Sequence, residues 1–491
     1  MSCVNCTREI SELKDNLDSF FLLANGILIL LMQPGFALLE CGSVRSKNAT
    51  NILIKNMLDA FLAGVAFWLV GYAFAFGKGN CFLGTHYFAT YELKETNFAQ
   101  WFFQYVFAAT AATIVSGSMA ERCDAIAYFV YSTVITGFIY PVIVHWTWTD
   151  EGWLRLGDGT TRYRDFAGSG VVHLTGGTCA LIGAIFLGPR IGRFGPTANG
   201  IRGHSVPLSI TGGMILLVGF LAFNGGSQGS ISKPGDGVVV ARAVCHTTIS
   251  GCFGGLVTLM LVRAGVLGKP KVLSAIHSMN GALTGMVAIC AGVDAVTMWG
   301  AALTGAVAGV VYLITHILVI KAKIDDPIDA IAVHLGGGIW GLLAGPIFRV
   351  DDGILLSWNR NSGFNMLWNL VGLAAIFTWS AVLSAIMFGL LKKFKLLRVS
   401  AEIETRGLDL CKHNEPAYPA DGWFEEQYQD LTRRGSRRIS ITPYDISLPP
   451  FMRAAKRSLD NIHEEGTNMR GIGNDAFISD RVKSNKDSTN F

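Results

Sequence analysis

Apolar residues fill long, nearly unbroken runs of the chain, and charge, proline and glycine collect in the short stretches between them. A helix needs about 20 such residues to cross the hydrocarbon core of a bilayer. Eleven runs approach that length: 19–40, 56–76, 99–120, 125–149, 168–188, 205–224, 238–262, 272–291, 296–320, 329–348 and 366–391. Within lipid every backbone N–H and C=O must find its partner inside the segment, so runs of this kind specify helices. The pattern predicts an all-α membrane protein of about eleven transmembrane helices. It divides the chain into an N-terminal segment over 1–18, a membrane domain over 19–398 and a tail over 399–491. The opening 18 residues are polar, and no cleavable signal peptide is read in them. From about Arg433 onward the tail has little to bury and is expected to be disordered.

Two of the apolar runs are interrupted in the same way. Asp165-Phe-Ala-Gly-Ser-Gly-Val-Val-His173 and Asp326-Pro-Ile-Asp-Ala-Ile-Ala-Val-His334 each place a histidine eight positions after an aspartate. Each histidine sits in a Val-His-Leu-x-Gly-Gly context. Ionisable groups inside a membrane are costly and mark substrate or proton paths. Their matched surroundings suggest a duplicated half-transporter. Helices one to five would form one half and six to ten the other, with a last helix added. An odd number per half inverts the second repeat, so the two histidine segments would run antiparallel and meet near the midplane, where such transporters place their site.

Charge refines this picture. Only 15% of residues are charged, against roughly 25% in soluble domains. The net charge of +4 forms no stripe, and nucleic-acid binding has no support. Basic residues gather in alternate loops (Arg45, Lys47 and Lys55; Arg122; Arg190, Arg193 and Arg202; Arg263, Lys269 and Lys271; Lys321 and Lys323) and at Lys392–Arg398. By the positive-inside rule the N-terminus is outside and the C-terminus cytosolic, although Arg155, Arg162 and Arg164 fall on the outer side. Asn5-Cys-Thr7 is then a glycosylation acceptor in position, whereas Asn48-Ala-Thr50 faces the cytosol. Cys3, Cys6 and Cys81 are available for outer disulfides, and the Cys3-x-x-Cys6 spacing lacks the second pair a zinc site needs. Arg433-Arg-Gly-Ser436 and Arg437-Arg-Ile-Ser440 read as basophilic kinase sites or as ordinary basic tail.

The candidate chemistry is small. Two neutral imidazoles can share one proton between ring nitrogens and offer a donor or acceptor on the far side of each, and histidine changes charge near neutral pH. A metal is the rival, but no third ligand accompanies the two histidines. Asp165 and Asp326 precede their helices and are expected to cap them, with Asp165 also steering a cation through its field. Phe103, Phe107, Trp146, Trp148 and Phe223 fall near outer helix ends. There they form either an interfacial belt or a cage of ring faces for a small cation. No loop offers a nucleophile with a base, so an enzyme is not expected.

Together these residues resemble the ammonium transporter family (Amt/Mep, with the Rhesus proteins as distant relatives). The likeness runs from Asn25 to about Tyr418 and rests on five motifs in order. These are Ala120-Glu-Arg122, Asp165 to His173, Gly219-Phe-Leu-Ala-Phe-Asn-Gly-Gly-Ser227, Asp325-Asp-Pro327 with His334, and Arg406-Gly-Leu-Asp409. The resemblance implies a homotrimer in the plasma membrane, a pore in each protomer, ammonium or ammonia as cargo, lipid as surroundings and no cofactor. It implies a recruitment site of Phe107, Trp148 and Ser227, a gate of Phe107 on Phe223, and a conduit lined by His173 and His334. Asp165, Phe103, Phe220 and Asp326 would support these. Two departures stand out. Phe220 lies where bacterial relatives often carry Trp, and Cys411 lies where plant relatives carry a phosphorylatable Thr. The expected action is to deprotonate ammonium and conduct ammonia, with net charge movement. The alternatives are an electroneutral gas channel of the Rhesus type and an ammonium sensor that signals through its tail.

Overall fold

The computed structural model describes residues 3–419 except 197, 199 and 269, with side chains from residue 7 onward. The side chains of Cys3, Asn5, Cys6 and Lys269, the tail sites Ser436 and Ser440, and the expected distal disorder therefore lie outside the described residues.

Among the described residues the fold is helical, with isolated bridges in place of strands. Ten helical spans are long and apolar enough to cross a membrane, from Thr7–Ser43 to Arg360–Lys393. The run at 272–291 differs from expectation. It yields the helix Ala275–Ile289, only 15 residues long, because Ser274 caps its start and the chain turns at Cys290–Gly292. Nine of its residues are buried, so it is wrapped by its neighbours. A second correction concerns Lys55, which lies not in an inner loop but inside the helix Ala49–Ala66, where its ammonium donates to the Cys123 carbonyl at 2.8 Å. The helix starts early because the turn Ser46–Asn48 leads directly into it.

Local chemistry sets several helix starts. Asp124 accepts from Ile126 N–H at 3.1 Å to open Ala125–Val134. Asn359 and Ser362 form a reciprocal capping box that opens Arg360–Lys393. Each such cap is worth about 1 kcal/mol.

The two histidine segments share a feature invisible in the sequence. Ser169–Leu174 and Ile331–Gly336 are wound as π-helix, each running into a regular helix, Thr175–Leu187 and Gly337–Phe348. Each wide turn packs against the other segment's regular helix. A Cβ on Gly177 would lie 2.3 Å from Leu335 N, one on Gly338 2.9 Å from Leu174 N, and one on Gly341 2.4 Å from Ser169 Oγ. The partner's number falls as the first rises, so the segments cross antiparallel. Glycine is needed there because the two backbones touch.

At one end of these segments an ionic knot ties the loops. Asp325 accepts from Arg190 Nε at 2.8 Å and Nη2 at 2.9 Å, and from Arg193 at 3.2 Å. Glu121 takes the other side of Arg190 and also holds Arg45. The start of the tail joins the same face: Arg398 donates to Leu187 and Pro189 carbonyls, and Asp409 accepts from Thr50 and Asn51 N–H. Burial alone would raise the Asp325 carboxyl, but the hydrogen bonds and charge of Arg190 outweigh it and hold it well below the usual range. A depressed folded value means the stabilisation is present above the ordinary Asp pKa of about 3.9 and fades as pH falls further. Asp325→Asn breaks a buried pair and is expected to cost about 3 kcal/mol or more at neutral pH. Thermal unfolding in detergent checks this, and a variant as stable as the wild type at pH 7 would contradict it.

Candidate functional site

Gly168 adopts a left-handed conformation (φ 101°), which folds the chain back over Asp165. The carboxylate then accepts from four backbone N–H groups: Gly168 at 3.0 Å and Ser169 at 2.8 Å on one oxygen, Gly170 at 2.8 Å and Val171 at 3.0 Å on the other. The Tyr163 hydroxyl adds a fifth bond at 3.0 Å. Burial pushes this carboxyl up, and the Val171 and Gly170 amides pull against it. These amides are the orphan donors at the start of the His173 segment, so Asp165 fixes that segment's position. Asp326 plays a thinner version of the same part. It accepts from Ile331 N–H at 2.7 Å and weakly from Ile328 at 3.4 Å, and burial, reinforced by Asp329, raises it to about 6.

Above this turn lies an open depression of about 520 Å³ whose walls include Phe103, Phe107, Trp148 and Ser227. Trp148 is held in place by a bond from its indole N–H to the Asp165 carbonyl at 2.8 Å. Its ring meets Phe107 edge-on, with centroids 6.0 Å apart. The Ser227 hydroxyl donates to the Phe223 carbonyl at 2.7 Å, which leaves its lone pairs free for an incoming N–H. Trp146 takes no part. Its indole donates to the Phe82 carbonyl and its ring packs against Phe82, Trp153 and Trp379.

Beneath the depression Phe107 and Phe223 stack with centroids 4.0 Å apart and planes 21° apart, and both are fully buried. Phe223 in turn lies 5.6 Å from the His173 ring, and Phe220 stacks on the same imidazole at 5.5 Å. His173 and His334 face each other, Nδ1 to Nδ1, at 3.2 Å. At that distance one nitrogen carries the hydrogen and the other accepts it, so the pair holds a single bridging proton. His173 Nε2 is buried without a partner. An unpaired polar atom in this setting costs about 1–3 kcal/mol, which suits a site that a small hydrogen-bonding solute completes.

The geometry thus assembles Phe103, Phe107, Trp148, Ser227, Phe223, Phe220, His173 and His334 into one file, with Asp165 behind it and Asp326 on the opposite segment. Sequence reasoning missed Tyr163, Arg349 and Phe36. Arg349 is buried and donates to the carbonyls of Arg164 and Ala291 at 2.8 and 2.9 Å, clamping the Asp165 turn. Its signal was available, since an arginine ending an apolar run needs an explanation. Phe36, whose ring lies 6.0 Å from His334, gave none within an apolar stretch. Among the described residues no three His, Cys, Asp or Glu side chains cluster to hold a metal.

Comparison with known proteins gives matches over most of the chain. The family model for the Ammonium Transporter Family matches residues 20–418. A candidate ammonium transporter 1 of Caenorhabditis elegans is 43% identical over 465 residues, covering 89% of this chain and 86% of that one. Ammonium transporter 1 member 3 of Solanum lycopersicum is 38% identical, covering 84% of this chain and 95% of that one. Among solved structures, one described as Sensor Amt Protein superposes with a TM-score of 0.75 at 33% identity, over 82% of this chain and all of that one. Candida albicans Mep2 does so at 0.71 and 25%, over 80% and 88%. With its membrane helices and a family match over residues 20–418, the chain belongs to the ammonium transporter family.

Proposed function

We propose that the protein recruits ammonium at Phe107, Trp148 and Ser227, removes its proton near the Phe107–Phe223 gate and conducts ammonia past His173 and His334. The proton crosses separately through the imidazole pair, giving net charge movement. The observation that carries this reading is the buried 3.2 Å contact between the two Nδ1 atoms directly beneath the stacked phenyl rings. A bare cation in such surroundings costs several kcal/mol. Neutral ammonia avoids that cost and still bonds to imidazole. Potassium has no proton to give up and is refused. The protein acts as a homotrimer in the plasma membrane with its tail in the cytosol, a placement supported by the basic loops and by the lipid-ready apolar faces of its helices. A basophilic kinase acts on the tail at Ser436 and Ser440.

Voltage-clamped currents with ammonium, potassium and methylammonium across several pH values test the reading. Ammonium is expected to evoke current and potassium none. A protein that moves ammonia without current would instead be the electroneutral channel. The recruitment step has its own test. Trp148→Leu removes a cation–π wall of about 1 kcal/mol and is expected to raise the half-saturating ammonium concentration about fivefold, with the maximal rate within twofold. An unchanged half-saturation would remove Trp148 from the site.

A further inference from the structure

A second polar network lies between the helices Met32–Ser43, Ala49–Ala66, Phe98–Ser118 and Ala125–Val134, and the ammonia route does not use it. Glu40 and Asp59 are both fully buried and Lys55 nearly so. Glu40 accepts from Asn56 Nδ2 at 2.9 Å on one oxygen and from the Ser116 hydroxyl on the other. Thr113 reaches both Asn56 Oδ1 at 3.4 Å and Gln33 Oε1 at 3.3 Å. Asp59, one turn beyond Asn56 on the same helix face, accepts from Ser132 on one oxygen, and its other oxygen is buried with no partner. Lys55 donates to the Cys123 carbonyl and stands over the Tyr128 ring at 5.5 Å. The other titratable groups facing the network are Cys41 beside Glu40, Tyr128 and Tyr131 from Ala125–Val134, Tyr105 near Asp59, and Cys123, Asp124, Lys412 and His413 near Lys55.

Two carboxyls and one amine do not balance if all three are ionised. An uncompensated negative charge at this depth is far costlier than a proton. The unpartnered Asp59 oxygen marks one place where that proton can sit. The network also borders the conduit. Glu40 follows Phe36 by four residues, so the two share a helix face, and the Phe36 ring touches the His334 side of the imidazole pair. On the other side, Gly117 separates Glu40 Oε1 from Ile328: a Cβ there would overlap Ile328 and lie 3.3 Å from the Glu40 oxygen. Ile328 lines a cavity of about 40 Å³ together with Leu39, Ser43 and Asp329, room enough for a water.

We propose that Glu40 receives the proton leaving the histidine pair and that Glu40 and Asp59 store it before it departs past Lys55. The step is a plain transfer: a His334 imidazolium becomes neutral imidazole as the Glu40 carboxylate becomes carboxylic acid, and no bond between heavy atoms changes. It rests on the proposed function, which frees a proton at the histidines.

The test uses the full chain in proteoliposomes, with charge displacement and labelled methylammonium uptake measured on the same preparation. Glu40→Gln is expected to lower the charge moved per molecule taken up at least tenfold. Glu40→Asp, which keeps a carboxyl, should hold it within threefold, and Asp59→Asn should fall between. Infrared spectroscopy of the wild type should show a protonated-carboxyl band that Glu40→Gln or Asp59→Asn removes. Glu40→Gln with the wild-type ratio would overturn the relay, and absence of the band would overturn the resident proton. A wild type that moves no charge would overturn the histidine reading first and this one with it. Should Glu40→Gln not reach the membrane, Asp59→Asn and the wild-type band decide the matter.

Discussion

Replacing His173 or His334 by alanine is expected to abolish the ammonium-evoked current or to convert it into a potassium leak. The two Nδ1 atoms, 3.2 Å apart, hold a single proton between them. Alanine at either position removes the acceptor that makes neutral ammonia welcome, and it strands the remaining imidazole with an unpaired buried nitrogen, at about 1–3 kcal/mol. A loss of roughly 3 kcal/mol corresponds to about a hundredfold in rate. The space vacated by the ring is bounded by Phe220 and Phe223 on the His173 side, and water entering it would lower the cost of passing an intact cation. Currents from ammonium and potassium in both variants, with surface expression measured alongside, give the answer. Full ammonium selectivity in both would refute the mechanism.

Asp165→Asn should be almost as damaging. The carboxylate accepts five hydrogen bonds, four from backbone amides that have no other partner. An asparagine can present only one oxygen, and its NH₂ group would face two N–H donors. Each amide left unsatisfied costs about 1–3 kcal/mol, and the tether from Trp148 to the Asp165 carbonyl carries the disturbance to the recruitment wall. Uptake is expected to fall at least fiftyfold, with a lower unfolding temperature. Asp326→Asn, which loses one strong bond, should cost several times less. Equal losses from the two substitutions would show that the capping count does not govern their roles.

Much of this was legible in the sequence. The apolar runs marked the helices, since nothing else satisfies a backbone in lipid, and the paired Asp-to-His spacing marked the centre of the fold. Phe107, Trp148, Ser227, Phe223 and both histidines do converge on one file of contacts. What the sequence withheld was angular. The π-helical winding of Ser169–Leu174 and Ile331–Gly336 changes which way a side chain points without changing the hydrophobic pattern. Trp146 and Trp148 sit two residues apart, and only the backbone decides that one enters the depression and the other packs away from it. Lys55 misled because a basic residue near an expected helix start reads as loop, whereas here it is buried against a carbonyl. The 15-residue helix Ala275–Ile289 was overestimated because buried helices and spanning helices look alike until their length is fixed by caps.

The antiparallel crossing of the two histidine segments has a consequence for traffic. On the proposed route, a solute arriving from either side meets the same Val-His-Leu triplet, with Phe220 and Phe223 flanking one imidazole and Phe36 the other. Net flow past this pair then follows the ammonium gradient and, because charge moves with it, the membrane potential. The two ends are unlike: a fivefold-bonded aspartate lies beneath the aromatic-walled depression, and a more weakly tethered one starts the opposite segment.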